Sequence, residues 1–242
     1  MNHRILVLFE LPDADPISPV LVEDLTSMEV VVLGHFRLPE QTPPESGRVQ
    51  FNEEARAELN ELAEPFEETD SLVEKRLVFG KDLSKTMDRI AIEEDCDAEL
   101  DPEPTEGIER ILVPLVDTEN LDRLEDFIGS LSDEITKEIT LFHVAEQGGD
   151  DGEDEDPEAV ESMLQRARQK MITDGFDSDL VDVLVVVAQD HDAEILEKAE
   201  AYDAVVMGEA HPETLRERFF GTLPDKIADH TGDPVIVVRR NL

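Results

Sequence analysis

Residues 202–240, YDAVVMGEAHPETLRERFFGTLPDKIADHTGDPVIVVRR, decide how this chain is read. Residues 204–207 form a short apolar run that stops at Gly208. A polar loop leads to Gly221-Thr222, which opens a helix-patterned segment closed at Gly232. Pro234 and a second apolar run, 235–238, follow. Strand, glycine-marked loop, helix and strand make half of a nucleotide-binding α/β unit. A glycine at a strand's C-terminal end lets backbone approach a phosphate. A Gly-Thr pair opening a helix offers free N–H groups and a hydroxyl to an anion.

These residues resemble the signature of the universal stress protein family: a glycine, two residues, a glycine, nine residues, then Gly-Ser or Gly-Thr. Gly208 takes the first place and Gly221-Thr222 the last, at matching spacing, and His211 stands where the middle glycine would be. The flanking runs fit as well, and the resemblance extends more loosely over 108–242. It implies a sheet ordered 3-2-1-4-5 in that part of the chain. It also implies an adenine-nucleotide site with ATP or AMP as cofactor.

The chain repeats itself. RILVLFELPD starts at Arg4 and RILVPLVDTE at Arg110, 106 residues later, and Asp97-Ala98 and Asp203-Ala204 keep the same offset. In the first copy, strands are expected over 5–9, 29–36, 72–80 and 98–100. Helices are expected over 17–27, 52–64 and 83–94, with Asn52 as an N-cap and Pro65 ending or kinking the second helix. Residues 38–48, LPEQTPPESGR, read as a loop. In the second copy, strands are expected over 111–115, 138–145, 180–187 and 204–207, with helices over 120–133, 157–173 and 193–200. Apolar strands alternating with helices call for parallel sheets covered on both faces. The expected fold class is α/β, with two doubly wound parallel-sheet domains, each with its own core. They would cover residues 1–101 and 108–242, joined by a linker at 102–107. After Leu100 only DPEPTEG precedes the next strand, so the first domain is truncated and lacks the glycine-marked segment.

Composition narrows the function. Of 242 residues, 61 are Asp or Glu and 21 Lys or Arg, a formal net charge of −40 spread along the chain, and only 7 of the 21 are Lys. Such a surface resembles that of cytosolic proteins from extreme halophiles, where salt screens self-repulsion. Binding to nucleic acid or to an anionic membrane is disfavoured. No apolar run approaches the roughly 18 residues of a membrane span, and the start of the chain lacks a signal-peptide pattern, so a cytoplasmic location is expected. The single Cys96 excludes an internal disulfide and reads as a small core residue. Residues 146–156, EQGGDDGEDED, lack the spacing of a calcium loop and read as a mobile, solvated segment.

The nucleotide site implied by the resemblance lies beyond the C-terminal ends of the second copy's strands. Pro114 matches the end of its first strand, and Asp117 follows one residue later than usual in the family. Asp117 has two readings, a ribose contact or the N-cap of the next helix. Val144 is placed to read adenine with its backbone, with His143, a packed strand-end histidine, before it. Gly208, His211, Gly221, Thr222 and Leu223 complete the set. Glu209, Glu213 and Glu217 would repel phosphate there, offset in part by Arg216 and Arg218.

No Walker loop, nucleophile elbow or paired histidine suggests an enzyme or a metal site. The expected role is regulatory, with an adenine nucleotide as partner. The alternative is an interaction or dimerisation module of the same fold that binds no nucleotide. For assembly, residues 235–238 either pair with the first domain as a within-chain pseudo-dimer or with a second copy as a homodimer.

Overall fold

The computed structural model describes residues 3–39, 41–118, 120–131, 136–147, 154–209 and 222–240. Among them the chain forms nine strands and seven helices in near-strict alternation. The first half runs β1 (Arg4–Leu11), α1 (Pro19–Asp24), β2 (Glu29–Arg37), α2 (Pro44–Glu67), β3 (Val73–Gly80), α3 (Leu83–Glu93) and β4 (Ala98–Asp101). The second half runs β5 (Arg110–Pro114), α4 (Leu121–Ile128), β6 (Glu138–Glu146), α5 (Pro157–Asp174), β7 (Val181–Ala188), α6 (His191–Ala199), β8 (Ala204–Gly208), α7 (Thr222–Thr231) and β9 (Val235–Val238).

All nine strands belong to one sheet, ordered β3-β2-β1-β4-β9-β8-β5-β6-β7. Within the second half this is the 3-2-1-4-5 order that the family resemblance implied. Every pairing is parallel except β4 with β9, where Leu100 lies opposite Ile236 and Asp101 opposite Val235. The unbroken apolar runs explain the arrangement. Leu6, Val31 and Leu112 are fully buried because helices cover both faces of the sheet.

α1, α2, α4 and α5 cover one face and α3, α6 and α7 the other. On the first face a single apolar core runs from Phe66 of α2 through Leu100 and Ile236 to Phe127 of α4. The expectation of a separate core for each half is corrected on this face. The β4–β9 pairing brings the inward side chains of both halves into contact. On the opposite face the clusters remain separate, one around Ile90 and Cys96, the other around Phe142 and Ile227. Cys96 is buried, and burial pushes its thiol up to about 12.

The N-cap expected at Asn52 fails, and of the two outcomes expected at Pro65 the helix end does not occur. α2 starts at Pro44 rather than after Asn52, so only residues 38–43 of the expected loop lie outside the helix. Pro44 at the first helical position has its φ pre-set, and its missing N–H would have been unsatisfied there anyway. Nor does Pro65 end the helix, which continues to Glu67. An interior proline costs about 3 kcal/mol. Leu62, Ala63 and Phe66 around it are all buried in the core, and burying one large apolar side chain returns roughly 1.5–3 kcal/mol.

Residues 148–153 of the acidic segment lie outside the described residues. Its ends are tied: the Glu155 amide donates to the Glu146 carbonyl at 3.1 Å, and the Glu146 amide donates to the Glu155 carboxylate at 3.1 Å. Gly232, at φ +69°, closes α7 and donates its N–H to the Ala228 carbonyl at 2.8 Å. A left-handed residue at this position is a common helix stop, and glycine adopts it without strain.

Candidate functional site

Strand order in the second half reverses between β5 and β8. From β5 the chain moves outward through β6 and β7, then returns to the other side of β5 with β8 and β9. The crevice at the C-terminal ends of β5 and β8 is therefore the topological switch point, where ligands of open α/β sheets bind.

Five of the expected site residues belong to strands or helices bordering this crevice. Pro114 ends β5, opposite Phe142 of β6, and Val144 lies two residues beyond Phe142. Val144 is buried, its side chain in the core beneath α6 and α7. Gly208 ends β8. Leu223, in the first turn of α7, packs against the same core. Thr222 opens α7. His211 and Gly221 lie outside the described residues, as do Arg216 and Arg218.

Asp117 does not cap α4. The N-cap position is Asn120, so the capping reading of Asp117 is corrected. Residues 115–118 carry no helix, and Leu121 is the first helical residue.

Asn120 is the residue that sequence reasoning missed. Its side chain is buried and donates from Nδ2 to the Val238 carbonyl at 3.4 Å. The same nitrogen lies 2.8 Å from where a β-carbon on Gly208 would stand. The side-chain-free face of Gly208 is thus occupied by an amide from the chain itself. The glycine is required here by the close approach of Asn120 as much as by any ligand.

His143 is a packed strand-end histidine, 5% exposed. Its Nδ1 lies 2.6 Å from the Leu115 carbonyl and its Nε2 3.1 Å from the Glu155 carboxylate. The ring ties the end of β5 to the segment before α5. Burial of Glu155 opposes its ionisation, but the hydrogen bonds from His143 and the Glu146 amide outweigh it and hold the carboxyl below its ordinary value.

The rim toward the first half is a charge network. Glu209, next after Gly208, donates its N–H to the Val238 carbonyl at 2.8 Å, and its carboxylate accepts the Arg240 amide at 2.8 Å. Arg239 is 6% exposed. Its guanidinium contacts Glu99 of β4, lies 3.6 Å from Asp88 of α3 and 3.7 Å from Glu209. Burial pushes Glu99 up to about 7 against the opposing pull of Arg239, and burial raises Asp88 as well. Arg123 of α4 donates to the Arg239 carbonyl and reaches Asp97 at 3.5 Å. The paired arginines after β9 are visible in the sequence. Their carboxylate partners, far away in the chain, are not.

Among the described residues no group of three His, Cys, Asp or Glu side chains could hold a metal ion, and no helix is long and apolar enough to cross a membrane.

Comparison with known proteins places this geometry. No curated protein matches the sequence. The solved universal stress protein of Archaeoglobus fulgidus DSM 4304 is 16% identical, matches over 98% of each chain and superposes with a TM-score of 0.63. A protein of Pseudomonas aeruginosa UCBPP-PA14, described as a universal stress protein, is 14% identical over 98% of this chain and 93% of its own, with a TM-score of 0.53. At these identities the two structures establish a shared fold. The family model of the "Universal stress protein family" matches residues 107–239, more than half of the sequence and all of the crevice just described, and the chain belongs to that family.

Proposed function

We propose that the chain is a non-enzymatic regulatory protein built from two universal-stress-protein units, residues 1–101 and 108–242 joined by 102–107. In this reading the second unit binds adenine nucleotide, ATP or AMP, in the crevice between β5 and β8. The carrying observation is the position of Gly208 and α7. A glycine ends β8 at the switch point, and a helix opening at Thr222 follows it before β9. A helix N-terminus beside a glycine-ended strand favours phosphate. The first unit ends at Asp101 without a corresponding glycine-marked segment and serves as a packing partner. The antiparallel β4–β9 contact supports a within-chain pseudo-dimer in place of a homodimer. The charge of −40 fits a cytoplasm of high salt.

A second reading, an interaction module that binds no nucleotide, is favoured by Asn120, whose amide fills the open face of Gly208. Glu209 at the same rim adds a negative charge that a phosphate would meet. Titration of AMP, ADP and ATP at molar KCl, followed by thermal melting, separates the two. A ligand that binds only the folded state raises the melting temperature, by an amount that grows with the logarithm of its concentration. An increase with millimolar nucleotide supports the first reading, and an unchanged melt supports the second.

A further inference from the structure

The β3 edge of the sheet carries a feature that neither the crevice nor the contact between the halves uses. Among the described residues β3 is the terminal strand, paired on one side only. A groove of about 620 Å³ runs along it between α2 and α3. Arg48 and Arg56 of α2, Lys75 and Arg76 of β3, and Arg89 of α3 line it, against only Glu74 and Glu93. In a chain with 61 acidic and 21 basic residues, this is a local excess of positive charge.

Three of these five cations are paired with carboxylates of the chain, and two are not. Lys75 is paired with Glu67 at 2.6 Å and Arg89 with Glu93 at 2.9 Å. Arg76 contacts Glu94. Among the described residues the Arg56 side chain, by contrast, has only the Asn52 side-chain oxygen, at 3.2 Å. The Arg48 side chain has no hydrogen bond or ion pair among the described residues. Beside it Val49 is 89% exposed, and Leu72, just before the strand, is 68% exposed.

The fold does not require this charge. β7 occupies the equivalent edge of the second half. Val30 pairs with Val73 on one side of the molecule and Ile139 with Val181 on the other. Lys75 and Arg76 thus correspond to Val183 and Leu184. The same architecture leaves one edge apolar and makes the other basic on both faces, with Lys75 toward α2 and Arg76 toward α3. Edge lysines by themselves guard against unwanted pairing. Arginines without carboxylate partners on the flanking helix go beyond what that protection needs.

We propose that the β3 edge docks an extended acidic peptide segment of a partner protein, added alongside β3 as a further strand. The strand's unpaired backbone groups would supply the ladder. Arg48 and Arg56 would pair with carboxylates on the incoming segment, and Val49 and Leu72 would meet its apolar residues. Strand addition of this kind takes affinity from main-chain hydrogen bonds and selectivity from side chains at alternating positions. Charge complementarity chooses the peptide: the chain as a whole repels polyanions, and the arginines invite them only along a strand-shaped groove.

The test uses the full chain and a fluorescein-labelled (Val-Glu)4 peptide, read by anisotropy at the lowest KCl concentration at which the protein stays folded. The expected result is saturable binding, with protection of the β3 amides from hydrogen exchange. The double change Arg48→Glu and Arg56→Glu should weaken binding by at least about tenfold. Compared at molar KCl, where self-repulsion is screened, its melting temperature should stay unchanged, because both side chains are exposed and neither pairs with a carboxylate among the described residues. A (Val-Lys)4 peptide, which the acidic surface attracts without regard to site, should leave the β3 amides unprotected. The proposal is overturned if (Val-Glu)4 fails to bind, if the variant binds it equally well, or if binding leaves the β3 amides unprotected. An oligouridylate that binds more tightly than the peptide would assign the groove to nucleic acid instead. A concentration-dependent dimer, lost in the variant, would assign it to a second copy of the chain.

Discussion

The carboxamide of Asn120 packs against the α-carbon of Gly208. A β-carbon at that position would come within 2.8 Å of Asn120 Nδ2, the nitrogen that also donates to the Val238 carbonyl. One side chain at the start of α4 therefore holds the ends of β8 and β9. Gly208→Ala should force this amide aside and cost about 1–3 kcal/mol, as overpacking does. Asn120→Ala alone loses one buried hydrogen bond and should cost about 1 kcal/mol. The double variant should be more stable than the sum of the two costs implies, because removing the amide makes room for the new methyl. Urea titrations of the four proteins check this, and strict additivity would mean that the two residues do not share the space.

Asp24, in α1, should set a pH dependence. It is 2% exposed, and neither carboxylate oxygen makes a hydrogen bond of ordinary geometry. Burial, reinforced by the charge of Glu23 and opposed by the nearby Ile108 amide, pushes its pKa from 3.8 up to about 6. A carboxyl raised in the folded state favours folding when protonated. That contribution is complete below the unfolded value near 3.8 and is lost as pH rises through about 6. Asp24→Asn should therefore stabilise the protein at pH 7, by up to about 3 kcal/mol. The gain should shrink toward zero near pH 4. Paired denaturant melts of wild type and variant at the two pH values decide it, and a gain of equal size at both would contradict the buried-carboxyl account.

Arg239 joins the halves electrostatically. Arg239→Met leaves Glu99, Asp88 and Glu209 without their shared cation. Breaking a buried pair from one side costs about 3–5 kcal/mol. Adding Glu99→Gln should recover part of that loss, since Glu99 is the most enclosed of the three and burial already pushes it toward neutrality. Denaturant melts at pH 7 measure both steps. A single variant as stable as wild type would show that the guanidinium is not needed at the β4–β9 contact.

Salt should govern stability. With a charge of −40, self-repulsion is weakly screened at about 0.1 M, where the Debye length is near 10 Å, and strongly screened at molar salt. Melting temperature should rise steeply between about 0.1 M and about 3 M KCl. Equal melting at both would remove salt adaptation as the reason for the acidic surface.

By itself the sequence determined the elements and their kind. Runs such as ILVLF and ILVP are long enough and apolar enough to be strands buried on both faces, whatever their neighbours. The spacing of Gly208 from Gly221-Thr222, with the apolar runs that flank it, pointed to the family that residues 107–239 then matched. Local signals failed where burial outweighed them. Pro65 reads as a residue that ends or kinks a helix, and α2 does not end there, because the buried Leu62 and Phe66 carry it past.

Only the tertiary structure decided the relationships between distant residues. The antiparallel pairing of Leu100 with Ile236 makes one sheet from the two copies. Asn120 meets Gly208 because α4 begins beside the end of β8, and Arg239 finds Glu99 across 140 residues of chain because β4 and β9 are neighbours. Periodicity and spacing register which face of an element is apolar. They carry no record of which elements become neighbours, and each of these contacts depends on that.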